Sequence, residues 1–305
     1  MLVVFLAIMP IFILLLLGYV ALKTDFISAS TWIQIEKATY FVLFPSLLIH
    51  QLANATIDWA HAGYLIVFAL LIPIVGSVLA FTVQHFLKQD GASFTSDYQG
   101  SIRFNTYIGL ALILAILPKE AVSLAAIIMA IMIPWINVLC ILVFARYAKG
   151  VPNTKAILKQ MARNPLIIGS LIGLIINLST LSLPSVVNEV LKRLGDMTLP
   201  LGLLTVGAGL KWRSFSDYTR SLVSTSLIKL VALPLIILGL GLLLKLSTLM
   251  LSVVVIMAAL PTASSAYILA RQLGGNADLM AAIITLQTLA ALLTLPLLLW
   301  LLTSG

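Results

Sequence analysis

The chain has 305 residues, of which 61% are hydrophobic and only 9% charged, where a soluble domain carries roughly 25% charged residues. A soluble fold of this size has no interior large enough for so much apolar surface, so the composition indicates an all-α integral membrane protein. The net charge of +8 would suggest nucleic acid in a soluble protein, but most Lys and Arg lie in short connections between apolar runs. The excess is therefore topological, and no nucleic-acid partner is expected.

In chain order, apolar runs predict ten spans near residues 2–22, 38–53, 62–87, 100–117, 121–146, 164–180, 195–210, 218–245, 248–271 and 279–303, each close to the length a bilayer requires. The first has no basic residue ahead of it and no small-residue cleavage site behind it, so it is expected to stay in the membrane. Cys140, the single cysteine, falls in an apolar run and allows no intrachain disulfide. Eight of the twelve prolines, at 10, 45, 73, 134, 200, 234, 261 and 296, lie inside these spans, where neighbours or a cavity must satisfy the freed backbone groups. Placing the N-terminus outside gathers Lys23, Lys37, Lys88, Arg103, Arg146, Lys211, Arg213, Arg220 and Arg271 on the inner side, and puts both termini outside.

The basic connection between Arg146 and Arg163 divides the chain, and the two halves resemble one another. MPIFILLLLG aligns with NPLIIGSLIG, so that Pro10 and Gly18 match Pro165 and Gly173 at an offset of 155, and Pro45 matches Pro200 at the same offset. Asn105 and Pro261 mark the fourth span of each half. The expected organisation is a first five-span repeat over 1–147, a cytoplasmic connection over 148–163 and a second repeat over 164–305. Five is odd, so the second repeat enters the membrane from the opposite face, an arrangement common among secondary transporters.

The fourth and ninth spans carry the residues of interest. GSIRFNTYIGLALILAI places Asn105, Thr106 and Tyr107 inside a membrane-length stretch, and VVVIMAALPTASSAYILAR places Pro261, Thr262, Ser264 and Ser265 near its middle. Both read as discontinuous helices whose half-helix ends expose free N–H and C=O groups, the positive ends favouring an anion. Asn105 would offer its amide to a carboxylate, and the four hydroxyl residues beside Tyr107 would add donors. The other reading of the same residues is that the hydroxyls bond back to their own helices and Asn105 joins two helices. Lys229 is far from either predicted interface, which makes it an interior charge supporting the crossing. Arg103, just before the break, would guide an anion from the inner face. The acidic residues, Asp97 included, are placed at connections or span ends, which disfavours a cation antiporter. No HExxH, CxxC or P-loop pattern is present, so no enzyme, metal site or cofactor is expected.

GSIRFNTYIGLAL, LPTASSAYILARQLGGNADL, NPLIIGSLIG and KLVALPL together resemble the bacterial auxin efflux carrier family, relatives of the plant PIN-FORMED carriers, over essentially the whole chain. The resemblance implies two inverted five-span repeats. Spans one, two, six and seven form a scaffold, which faces the site near Pro45, Ser46 and Pro200, and the others form a moving core. It places the substrate at the crossing of spans four and nine. This chain departs from the family pattern at Ser265, often an asparagine, and near Ala111, where a proline follows the break. The function expected is an efflux carrier of small organic anions such as carboxylates, working by elevator-like alternating access in a bacterial inner membrane, with a homodimer through the scaffold. A sodium- or proton-coupled symporter of the same anions is the alternative.

Overall fold

The structure is a computed structural model that describes residues 2–55, 59–148, 165–179, 183–210 and 216–304. Apart from Ala148, the predicted connection 148–163 lies outside the described residues, as do Lys211 and Arg213.

Among the described residues the chain is helical and has no strand. The elements are Leu2–Lys23 (α1), Ala29–Ala38 (α2), a π-helical turn Thr39–Leu43, Phe44–Ala53 (α3), Trp59–Leu87 (α4), Gly91–Ile102 (α5), Thr106–Ile116 (α6) and Glu120–Tyr147 (α7). They continue with Pro165–Leu178 (α8), Ser185–Ala208 (α9), Thr219–Leu227 (α10), a second π-helical turn Ile228–Ala232, Leu233–Leu243 (α11), Thr248–Ala259 (α12), Ser265–Leu273 (α13) and Ala277–Ser304 (α14). Four described helical stretches are long and apolar enough to cross a membrane: Gly63–Leu87, Glu120–Tyr147, Thr219–Leu243 and Ala277–Leu302. Met9–Lys23, Pro165–Leu178 and Thr248–Ala259 are apolar but shorter. Outward-facing Ile13, Leu16, Leu17, Leu142, Leu293 and Leu301 are exposed. In water such faces would aggregate, whereas lipid is their natural solvent. The chain is a multi-pass membrane protein.

Both π-helical turns sit immediately before a Phe44-Pro45 or Leu233-Pro234 step. A proline ring crowds the carbonyl one turn back and offers no N–H. Widening the turn lets the preceding residue bond five back instead, Phe44 N–H to the Thr39 carbonyl and Leu233 N–H to the Ile228 carbonyl. At the other end of the chain, α13 stops at Gly274, whose φ of 75° is the left-handed conformation that lets Gly275 N–H close on the Ala270 carbonyl at 2.8 Å.

Two helix pairs are packed especially closely, α1 with α9 and α3 with α8. The centre belongs to α5, which is enclosed by α4, α7, α10 and α14 and is buried from Ser93 to Ile102 without interruption. This corrects the expectation for Asp97: it lies inside a helix beginning at Gly91, not at a span end, and is only 8% exposed. Apart from the Phe94 and Tyr98 stripe, which Ile102 continues, the segment SFTSDYQGS is polar, so hydropathy hides a helix that its neighbours bury on every side. Asp90 starts that helix, its carboxylate accepting from Ser93 N–H at 3.0 Å. Desolvation opposes the charge on Asp90, but hydrogen bonds from the Ser93 backbone and side chain outweigh it and hold the carboxyl below its ordinary range. The cap therefore contributes fully above the unfolded carboxylate pKa and is lost as pH falls through the depressed folded value. We expect Asp90→Ala to cost about 1 kcal/mol at neutral pH and progressively less on acidification, as measured by thermal unfolding in detergent. Equal destabilisation at acid and neutral pH would disprove the charged cap.

Candidate functional site at two helix interruptions

The chain leaves helical geometry between Ile102 and Thr106, where Arg103 and Asn105 are extended, and again between Ala259 and Ser265, where Leu260 is extended. The two interruptions touch. Asn105 N–H donates to the Pro261 carbonyl at 2.8 Å, a strand-like bond between two crossing segments. The Asn105 side-chain oxygen caps α6, accepting from Tyr107 N–H at 3.1 Å and Ile108 N–H at 3.2 Å. Its amide nitrogen is buried with no partner. Asn105 thus closes the start of its own half-helix, and at 1% exposure it does not reach open space.

Thr262 is likewise used within the protein. Its hydroxyl donates to the Gly100 carbonyl at 2.8 Å, and its N–H to Gln287 Oε1 at 3.0 Å. The Gln287 amide in turn donates to the Gly100 carbonyl at 3.0 Å and the Thr225 carbonyl at 3.4 Å. Gln287 therefore ties α14 to the second interruption, to the last turn of α5 just before the first, and to α10. It was not singled out from the sequence, although a lone glutamine in the apolar run AAIITLQTLAALL was the available signal. The order of the chain explains the arrangement, since an extended segment exposes N–H and C=O groups that no helix satisfies, and buried polar groups require partners.

Beside the crossing opens a cavity of about 570 Å³. Arg103, Thr106 and Ser265 come to it from the interruptions, and α2, α7 and α13 bring Glu36, Lys37, Asn137 and Gln272. Ile33, Phe41, Phe104, Ile136, Leu166 and Ile268 make an apolar wall. Arg103 Nη2 donates to Asn137 Oδ1 at 2.9 Å, while its Nε is buried without a partner. The cavity thus has one fixed guanidinium with unused donor capacity, the Lys37 ammonium and the Glu36 carboxylate, the hydroxyls of Thr106 and Ser265, the side-chain amides of Asn137 and Gln272, and an otherwise apolar wall. α13 begins at Ser265 with no side-chain cap on Ser264, which leaves the positive end of that half-helix beside the space.

The remaining predicted residues lie elsewhere. Tyr107 packs edge-on against Phe44, with ring centroids 5.1 Å apart, and against Gly202 of α9. Pro261 accepts the Asn105 bond, and Ser264 starts α13 without lining the cavity. Pro45 backs onto Gly169 of α8, and Ser46 donates to the Val42 carbonyl at 2.8 Å. Pro200 is on an exposed face of α9. None of these three lines the cavity, which α2, the first π-helical turn and the start of α8 help to wall instead. Lys229 occupies the second π-helical turn, fully buried, its ammonium without a partner. It too lies off the cavity, among α4, α5, α12 and α14.

Comparison with known proteins agrees with a membrane-embedded chain. The family described as membrane transport protein matches residues 3–299. No curated protein matches the chain closely enough to add a relative. With a match extending over nearly its whole length, the chain belongs to the auxin efflux carrier family of membrane transporters.

Proposed function

We propose that this transporter carries small organic anions, carboxylates above all, by alternating access in which a core holding the two interruptions slides against a scaffold. The observation that carries the reading is the 570 Å³ cavity at the crossing, lined by Arg103 and by Thr106 and Ser265 at the half-helix starts. A guanidinium binds a carboxylate through two parallel charge-assisted hydrogen bonds. The apolar wall leaves that charge unscreened, which strengthens it. Outward movement of one negative charge through an inside-negative potential gains about 2.3 kcal/mol per 100 mV, so export needs no second driving force.

The ten-span, inverted-repeat architecture is part of this reading. Gly18 of α1 faces the Leu204 backbone of α9, with no room for a side chain. Gly173 of α8 faces Ile49 and Leu52 of α3. Gly173 is Gly18 moved by the offset of 155, and Ile49 is Leu204 moved back by it. A contact that returns with its partners exchanged is what a pseudo-two-fold pair of repeats produces, and it supports the inverted design. Scaffold dimerisation, an inner-membrane location and outside termini complete the proposal.

The test is a screen of mono- and dicarboxylates by electrogenic currents in proteoliposomes, repeated with Arg103→Gln. The expected outcome is a saturable current that needs at least roughly tenfold more substrate in the variant, about 1.4 kcal/mol of binding. Equal affinities in parent and variant would remove Arg103, and with it this site, from the proposal.

A further inference from the structure

A second enclosed space lies apart from the cavity, between α4, α5 and α10. It measures about 10 Å³, enough for one water-sized occupant, and its polar lining is Gln84, Asp97, Ser101, Ser224 and Thr225. Asp97 is 8% exposed, and its Oδ1 has no hydrogen-bond partner. Thr225 shares the lining, and nearby the Gln89 amide donates to the Ser221 hydroxyl at 2.7 Å. The other two hydroxyls of the lining turn their protons away from the space. Ser101 donates to the Asp97 carbonyl at 2.9 Å and Ser224 to the Ser221 carbonyl at 3.2 Å. What remains directed inward is oxygen lone pairs, the unpartnered Asp97 Oδ1 among them.

Such a set rejects anions and suits a hard cation, which takes carboxylate, hydroxyl and carbonyl oxygens. One carboxylate in the lining balances one positive charge, and a chamber of this size accepts a bare ion but not its hydration shell. Lys229, the buried cation on the following turn, does not line it. We propose that Asp97 anchors a binding site for a single sodium-sized monovalent cation, with Ser101 and Thr225 as further oxygen ligands. The ion would sit on the half-helix that ends at the crossing. The site does not depend on the identity of the transported anion.

Thermal unfolding of the detergent-purified protein at constant ionic strength, in sodium, potassium or choline chloride, tests this. A ligand bound only by the folded state raises Tm with a saturable dependence on its concentration. Sodium is expected to raise Tm, potassium less and choline not at all. Asp97→Asn is expected to abolish the sodium response, and Ser101→Ala to shift its midpoint by roughly tenfold. Should Asp97→Asn fail to fold, Ser101→Ala and Thr225→Val carry the same comparison. Identical Tm values in all three salts, a sodium response that survives Asp97→Asn, or a Tm that follows pH with no sodium dependence would each overturn the assignment. Carboxylate binding measured on the same samples keeps the two readings separable, because loss of the cation site leaves the Arg103 cavity standing.

Discussion

Gln287→Leu is expected to destabilise the protein by about 3 kcal/mol, because it strands the buried Thr262 N–H and removes a donor from two carbonyls at once. An orphaned buried donor costs roughly 1–3 kcal/mol by itself, each lost neutral bond about 1 kcal/mol more. Thr262→Val should cost less, since Gln287 still reaches both the Thr262 N–H and the Gly100 carbonyl, 3.0 Å from each. The double variant should fall short of the sum, as residues sharing one network do. Denaturation midpoints of the four proteins in one detergent measure this directly. Additive effects, or a Gln287→Leu midpoint within experimental error of the parent, would mean that the amide does not hold the crossing.

The second large effect is expected at the α1–α9 contact. A Cβ at Gly18 would fall inside the Leu204 carbonyl, and one at Gly207 inside the Leu15 carbonyl. Both obstacles are backbone, which cannot rotate aside as a side chain can, so even alanine must push the helices apart. Overpacking costs roughly 1–3 kcal/mol where side chains can adjust. For Gly18→Val and Gly207→Val we expect the upper end of that range or more. Gly239→Ala is the internal control, because nothing lies within 4 Å of its added Cβ and alanine favours the helix by up to about 1 kcal/mol. Loss of folded protein for the two valine variants, with unchanged or higher Tm for Gly239→Ala, is the predicted pattern. Equal behaviour of all three would show that small residues are not what brings α1 and α9 together.

Much of the architecture was legible in the chain because apolar run length and interruption are one-dimensional properties. The breaks at Asn105 and Pro261 were visible as polar residues and proline where a membrane helix should be uniform. Lys229 was visible as a charge too deep to reach either surface, and it is buried. The direction of individual side chains was not legible. Consecutive helical residues differ by about 100°, and residues in an extended break alternate, so Asn105 and Thr262 turn into the protein while Thr106 and Ser265 meet the cavity. Asp97 and Gln287 escaped for a related reason. Both are polar residues whose partners are distant in sequence, so their significance depends on which helices surround them.

By itself, then, the sequence determined that this chain enters lipid repeatedly, interrupts two of its helices and buries a lysine in its interior, since each follows from the cost of placing given residue types at given depths. Tertiary packing alone decided that α2 walls the cavity, that Gln287 ties the second interruption to the end of α5, and that a polar half-helix with a partly unpaired carboxylate sits at the centre. Those outcomes depend on helices brought together from opposite ends of the chain, and partner identity across such distances is set by three-dimensional fit, which no local pattern encodes.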